Sequence, residues 1–374
     1  MFPTPRSCAK LRVAIVAPSI AILGGQAVQA QRLLAAWARD PEIEAWLVPI
    51  NPLPPRWLRV ATRIKYLRTV VTQLVYWPLL LRELRGADVV HVFSASYWSF
   101  LLAPLPAILI ARAMGRPVLL NYRSGEAPDH LQRSRLARTI LAIVDQNIVP
   151  SAFLSDVFAS FGIASRIIPN IVDRERFRFR LREPLRPRLI STRNFEPLYN
   201  VACALRTFQR VQAQYPGASL TLIGGGTQEA SLRRIARELN LRAVVFAGRV
   251  APDEIHHYYD DADIYIQTPT IDNMPSSVLE AFASGLPVVS TDAGGISAIL
   301  TDGIMGFLAP LDDDVRMAEC VIRFLEDPPL ARRVALAAYS ATAALTWDNV
   351  RNEWAAAYRG LAALSFAATP TQPA

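Results

Sequence analysis

The sequence predicts an α/β chain of two domains, each built on its own parallel sheet. Three observations carry this. Short β-rich apolar runs alternate with helical patterns almost throughout, as in βαβ units whose sheet is covered on both faces. The runs fall into two sets of six. Between the sets lies NIVDRERFRFRLREPLRPR, rich in charge and proline and without a sustained period, which reads as an interdomain connection.

Taken in order, the first set is Leu11 to Ala17, Ala45 to Ile50, Val89 to Phe93, Val118 to Tyr122, Asn147 to Val149 and Arg166 to Ile168. The second is Arg188 to Thr192, Ser219 to Ile223, Val244 to Ala247, Ile264 to Gln267, Val288 to Ser290 and Phe307 to Ala309. This spacing assigns residues 1–170 to a first domain, 171–187 to the connection and 188–345 to a second domain. A long helical tail, Met317 to Leu364, closes the chain with its last helix over 346–364, and SFAATPTQPA is expected to fray over 365–374. At 374 residues, with 52% hydrophobic and 19% charged residues, the chain can bury two cores and offset the entropy of folding. Ligands of open parallel sheets bind beyond the carboxyl ends of the strands, so function is expected in a cleft made by two such sheets.

Composition removes several classes. Cys8, Cys203 and Cys320 are an odd, scattered set that fits neither a disulfide framework nor a zinc site. The N-terminus lacks a basic segment followed by an apolar run, so no secretory signal is expected and a cytoplasmic protein is. The longest apolar stretch, Tyr97 to Ala111, contains Pro104 and Pro106 and reads as a buried helix rather than a membrane span. No cluster of His, Cys and carboxylate has metal-ligand spacing, so neither metal nor cofactor is expected. His256 and His257 fall on a helical pattern and read as solvated. The net charge of +8 is uneven, for residues 1–170 carry 19 Lys+Arg against 9 Asp+Glu. That basic half suits an acidic partner or an anionic membrane surface, or is simply a solvated arginine surface.

The residues that carry chemistry follow strand ends. Gly24 and Gly25 open the helical pattern after the first strand, where glycine lets backbone approach a ligand and helix N–H groups attract anions. Taken by themselves, those two residues read first as a plain helix-entry turn. Arg193 ends the first strand of the second set, placed to grip a diphosphate with two hydrogen bonds or to pair with Glu196. Gly224, Gly225 and Gly226 make a second glycine turn. In DNMPSSVLEAF a helix begins between Asp272 and Glu280, so the first could meet sugar hydroxyls and the second a ribose diol. The helix start near Ser276 and Ser277 would then meet phosphates. Ser277 and Glu280 also have the spacing of a capping box, which would make Glu280 a helix cap alone.

Several segments in order, namely GG before a helix, VPSAFLSDVFASFG, IIPNIVDRERF, STRNFEPLYN, LIGGGTQ, FAGRV, DNMPSSVLEAFASGLPVVSTDAGG and LTWDNVRNEW, resemble the landmarks of glycosyltransferase family 4 over about 350 residues. The resemblance implies a GT-B fold of two facing Rossmann-like domains, with the closing helix after Trp347 crossing back to the first. It implies that the second domain holds a nucleoside diphosphate sugar and the first holds the acceptor. Arg193 resembles the diphosphate arginine and Glu280 the ribose carboxylate. Asp272 replaces the first glutamate of the E-x7-E pattern, and Arg249 and Asn273 fall within matched segments.

Two positions depart from the pattern. Tyr199 stands where many members have lysine, and Arg123 where many have histidine. Arginine cannot serve as a general base, though it can stabilise a departing phosphate or an acidic acceptor; Ser124 or Glu126 are the alternatives there. His91 resembles a frequent cleft-floor histidine or is a buried structural one. The mechanism implied is retaining and metal-independent hexosyl or related transfer, with Asp272, Arg193 and Arg123 as catalytic candidates. The acceptor is expected to be a polysaccharide, a glycolipid or another acceptor, lipid-linked or acidic, and nucleic acid is not expected. An inactive sugar-nucleotide-binding subunit is the alternative. Only Lys10 and Lys65 are lysines, which leaves no evident pyridoxal-phosphate site in the second domain. Finally, residues 56–77 place Trp57, Val60, Ala61, Ile64, Leu67, Val71, Leu74 and Val75 at helical spacing beside Arg56, Arg59 and Arg63, suiting peripheral contact with the inner face of the membrane or packing on a sheet.

Overall fold

The computed structural model describes residues 10–21, 24–59 and 64–367. The chain divides into two compact units. Unit 1 holds the described residues through 150 together with 155–168 and those from 351 onward, and unit 2 holds 151–154 and 169–350.

Unit 1 is a sheet of β1 (Leu11–Ala17), β2 (Ile43–Pro49), β3 (Val89–Ser94), β4 (Val118–Tyr122), β5 (Gln146–Val149) and β6 (Arg166–Ile167), in the order β2-β1-β3-β4-β5-β6. Unit 2 is a sheet of β7 (Arg188–Ser191), β8 (Ser219–Ile223), β9 (Val244–Gly248), β10 (Ile264–Gln267), β11 (Val288–Thr291) and β12 (Phe307–Ala309), in the order β12-β11-β10-β7-β8-β9. Every pairing within both sheets is parallel. Both sheets are therefore wound through crossover helices, which cover both faces and explain why β3, β4, β10 and β11 are buried at every position. The edge strand β9 has no buried residue. Helices on the two sides of the unit 2 sheet pack separate cores, one around Phe208 and Phe324 and the other around Phe282 and Tyr259.

All twelve expected strands form, with ends displaced by a residue or two. β2 runs Ile43–Pro49 instead of Ala45 to Ile50, and Pro49 is tolerated because β2 is an edge strand. The apolar stretch from Tyr97 is two helices, Tyr97–Leu102 and Pro104–Ala113, because Pro104 suits a first helical turn and not a helix interior. The helical tail is three helices, Asp314–Glu326, Pro328–Ala341 and Trp347–Ala367, the first two capped by the side chains of Asp313 and Asp327.

The run 171–187 packs into unit 2. Val172 and Phe177 are buried in a unit 2 core. Arg182 donates to the carbonyls of Tyr259 (2.9 Å), Ala262 (3.2 Å), Arg180 and Ser284, so this charge-rich stretch is held by backbone acceptors. From residue 351 the closing helix belongs to unit 1, where Trp354 and Tyr358 are buried and Arg351 pairs with Asp40 at 2.7 Å. Of the stretch 56–77, Val60, Ala61 and Arg63 lie outside the described residues. The helix Lys65–Glu83 follows, and in it Val71 is buried while Leu67 and Leu74 are exposed, which splits the expected apolar stripe. Cys203 and Cys320 are free and buried, and Cys8 is outside the described residues.

Candidate functional site

In unit 2 the strand order reverses at β7, whose neighbours are β8 on one side and β10 on the other. Such a reversal opens a crevice beyond the carboxyl ends of the strands. Arg193 follows β7, and Asp272 lies on the loop after β10. The Arg193 guanidinium donates through Nη2 to Asp272 Oδ2 and through Nη1 to Ser277 Oγ at 3.0 Å, and it lies 4.1 Å from the centre of the Tyr199 ring. Burial works against this charge, but the Asp272 carboxylate and the nearby phenols outweigh it and hold the guanidinium pKa above its ordinary value. Arg193 Nε is buried with no acceptor among the described residues, as is one end of the Asn273 amide, whose Oδ1 accepts from Ser151 Oγ. Buried donors without partners are uncommon in folded proteins, and two at one crevice mark it as a place for an outside acceptor.

Glu280 is brought to the same place from the helix Ser276–Ala283. Its Oε2 accepts from Tyr259 Oη at 3.0 Å, and that hydroxyl also reaches Thr192 Oγ1 (2.7 Å) and Ser277 O (3.2 Å). The helix has Pro275 at its N-cap and no side-chain cap, so the capping-box reading of Ser277 and Glu280 does not hold. Ser277 Oγ is engaged by Arg193 instead. The pairing of Arg193 with Glu196 also fails, because Glu196 accepts from Thr227 N (3.0 Å) and Thr227 Oγ1 (2.5 Å). Ser276 stands at the first position of the helix, where N–H groups and the positive end of the helix dipole favour anions.

The glycine turn packs on the same strand end. Gly224 has a φ of +149°, and a Cβ there would overlap the carbonyl oxygen of Arg193. A Cβ on Gly226 would meet Phe195 O, while the exposed Arg249 side chain lies over Gly225. These close approaches set the backbone that presents Arg193.

Unit 1 carries the other candidates. Gly24 and Gly25 open the helix Gly25–Trp37, and a Cβ on either would meet nothing within 4 Å. His91 is fully buried in mid-strand, stacked on Phe93 and Trp354 at 4.9 Å, with Nδ1 2.8 Å from Tyr358 Oη and Nε2 3.2 Å from Asn121 Nδ2. Buried and with both ring nitrogens beside protein partners, it fits the structural reading. Burial, aided by Arg123, pulls its pKa down to about 3. Arg123 leaves β4 with its guanidinium 5.2 Å from the Phe93 ring centre and 3.4 Å from Asn121 Oδ1, and burial lowers its pKa to about 9, still protonated at neutral pH. Glu126 is the N-cap residue of the helix Ala127–Arg133, and its N–H donates to Ser124 Oγ at 3.3 Å. His256 is half-buried and His257 exposed, so only the second is solvated as expected.

Two family profiles match the chain in tandem. The profile described as "Glycosyltransferase Family 4" covers residues 23–176, and that described as "Glycosyl transferases group 1" covers 173–341. The chain belongs to glycosyltransferase family 4.

The sulfoquinovosyl transferase SQD2 of Arabidopsis thaliana is 27% identical over 77% of this family 4 chain and 61% of its own length. The glycogen synthase of Mycobacterium tuberculosis is 29% identical over 72% of the chain and 68% of its own length. This chain thus spans about three-fifths to two-thirds of these relatives. Among solved structures, Anabaena HepE in complex with UDP-glucose aligns with a TM-score of 0.74 at 17% identity, covering 94% of this chain and all of HepE. That likeness is one of fold, and the fold is GT-B.

Two site residues of this family 4 chain were not singled out from sequence. Tyr259 sits in HHYYDDADIYIQ, and its only signal is that a tyrosine at a buried helical position needs a partner for its hydroxyl. Ser151, in VPSAF, comes from a distant part of the chain to Asn273. Two Asp-x-Asp spacings are also present. Asp263 is paired with Arg188, and Asp312 and Asp314 are paired with Arg206, so neither spacing presents two open carboxylates. Among the described residues no group of three His, Cys, Asp or Glu is placed to hold a metal ion.

Proposed function

We propose that this family 4 chain is a retaining, metal-independent glycosyltransferase that takes its sugar from a nucleoside diphosphate donor bound in unit 2. The observation that carries the reading is the meeting of Arg193, Asp272, Ser277 and Glu280 at the strand-order reversal, with the Arg193 Nε donor unmatched. In this reading Arg193 and the start of the helix Ser276–Ala283 bind the diphosphate, and Glu280 binds the ribose. Asp272 and Asn273 meet the sugar, while Gly224, Gly226 and Arg249 border the nucleotide. Tyr199 supplies no cation, so the leaving phosphate depends on Arg193 for charge stabilisation. The donor phosphate takes the acceptor proton on the face from which it departs, a route that needs no histidine base. Arg123 and Glu126 belong to the acceptor side, where Arg123 suits an acidic group, and Gly24 and Gly25 are kept as donor-binding candidates.

The acceptor in this proposal is a polysaccharide or glycolipid precursor at the inner face of the cell membrane, with peripheral contact in the 56–77 region. One relative is named for a polysaccharide, glycogen. No helix among the described residues is long and apolar enough to cross a membrane. The test is a thermal-shift screen of UDP-, GDP-, ADP- and TDP-sugars, because a ligand of the folded state raises its stability. Transfer with the strongest responder follows, and NMR of the product reads the anomeric configuration. Inversion would overturn the retaining assignment. Tyr199 over Arg193 favours one other reading, a sugar-nucleotide-binding subunit without activity; donor binding without transfer or hydrolysis would support it.

A further inference from the structure

The helix Lys65–Glu83 has two apolar faces. One packs inward through Val71, Tyr76 and Leu80, and Tyr76 Oη donates to Ala103 O at 2.9 Å. On the solvent side Tyr66, Val70, Leu74, Trp77 and Leu81 are between 44% and 80% exposed. Their spacing of four, four, three and four residues confines them to an arc of about 80°. A helix on a soluble surface places polar side chains there. The helix is tied to its neighbour by a polar relay, in which Trp77 Nε1 donates to Gln73 Oε1 at 3.1 Å and Gln73 Nε2 donates to the carbonyl of Leu102 at 3.0 Å. Leu102 ends the helix Tyr97–Leu102, whose Trp98 is exposed.

Charge narrows the occupant. Between Glu44 and Glu126 the chain has ten Lys and Arg but only two acidic residues, Glu83 and Asp88. Arg56 and Arg59 are exposed just before the striped helix, whereas Arg68 and Arg82, also exposed, leave it about 160° and 120° from the centre of the stripe. A second copy would set one basic, apolar face against itself, and like charges oppose that. An anionic bilayer surface accepts both features, because acyl chains take the apolar side chains, headgroups take Arg56 and Arg59, and Trp and Tyr favour the boundary. We infer that the helix Lys65–Glu83 lies in the plane of an anionic membrane, entering it through Tyr66, Val70, Leu74, Trp77 and Leu81. This deepens the proposed membrane-side acceptor, on which its purpose rests, and gives the 56–77 contact a different set of residues.

The experiment is co-sedimentation of the full chain with phosphatidylcholine vesicles, with and without phosphatidylglycerol, at low and high salt. Binding is expected only with the anionic lipid, weakening in salt. The variant Leu74→Ser/Trp77→Ser/Leu81→Ser is expected to bind at least about tenfold more weakly. Leu311→Ser, an exposed leucine of unit 2, is expected to bind as wild type. Quenching of wild-type tryptophan fluorescence by brominated lipid is a second readout that needs no variant. No sedimentation and no quenching with anionic vesicles would overturn the inference. So would a triple variant that binds as wild type, or a dimer in solution that the triple variant abolishes. Donor thermal shifts are read on the same preparations: lost vesicle binding with intact donor response sinks this inference alone, whereas a missing donor response sinks the transferase reading alone.

Discussion

Replacing Asp272 by asparagine keeps the shape of the side chain and removes the charge that faces Arg193. Both partners are largely withdrawn from water, the side chains being 9% and 15% exposed. Breaking a buried pair from one side costs about 3–5 kcal/mol, because the remaining charge is left uncompensated. Here Ser277 Oγ still accepts from Arg193 and the Tyr199 ring still lies on it, a contact worth about 0.5–2 kcal/mol. The expected net loss is about 2–3 kcal/mol, which for a unit of this size lowers Tm by about 5–10 °C. A nucleoside diphosphate then supplies the missing negative charge. Thermal-shift titration of Asp272→Asn is expected to show a stabilisation by the nucleoside diphosphate at least as large as in wild type. The additional stabilisation given by the attached sugar should disappear. An unchanged Tm without ligand, or a lost response to the nucleoside diphosphate, would refute the reasoning.

Tyr259→Phe removes the hydroxyl shared by Glu280, Thr192 and Ser277 O, and a hydrogen bond to a charged group is worth about 1.5–3 kcal/mol. If Tyr259 orients Glu280, donor affinity measured by calorimetry falls by about 10- to 150-fold while the response to inorganic pyrophosphate is kept; equal loss of both would mean general disruption. Gly224→Ala is expected to cost at least about 1–3 kcal/mol through its backbone conformation, with further loss from overlap with Arg193 O, read as a fall in the urea midpoint. The pH dependence follows from His91, depressed to about 3, and His130, also lowered by burial. Between about 6.5 and 3 the unfolded chain takes up protons that folded His91 refuses, so stability is full above this window and falls as the pH drops through it, by about 1.4 kcal/mol per pH unit. Urea unfolding of His91→Gln is expected to show a shallower acid slope than wild type; an identical slope would rule out His91 as the source.

The strands were legible because a parallel sheet covered on both faces demands short, unbroken apolar runs, and few helices imitate VVHVF or IYIQ. The packing of the connection was not legible for the opposite reason. RERFRFRLREP has the composition of a solvated linker, yet Arg182 is buried because four backbone carbonyls surround it, and such acceptors leave no trace in composition. The stripe beginning near residue 56 was misassigned in a related way, since periodicity identifies an apolar face without saying which of two such faces is covered. Val71 and Leu74 differ by less than one turn, and one is buried while the other is exposed.

At the site, Arg193, Asp272 and Glu280 could be named from motif spacing, but their partners could not. Asp272 is one methylene shorter than the glutamate of the family pattern, and here it meets Arg193 directly. Glu280 needs a donor deep in the core, and that donor is on a helix between β9 and β10. The placement has a physical consequence for the proposed chemistry. A carboxylate held by a buried tyrosine has its orientation fixed before the donor arrives, whereas the guanidinium paired with Asp272 must exchange one anion for another. Donor binding in this chain is therefore expected to combine a preformed ribose contact with a charge exchange at the phosphates, and Asp272→Asn and Tyr259→Phe separate the two because each removes only one of them.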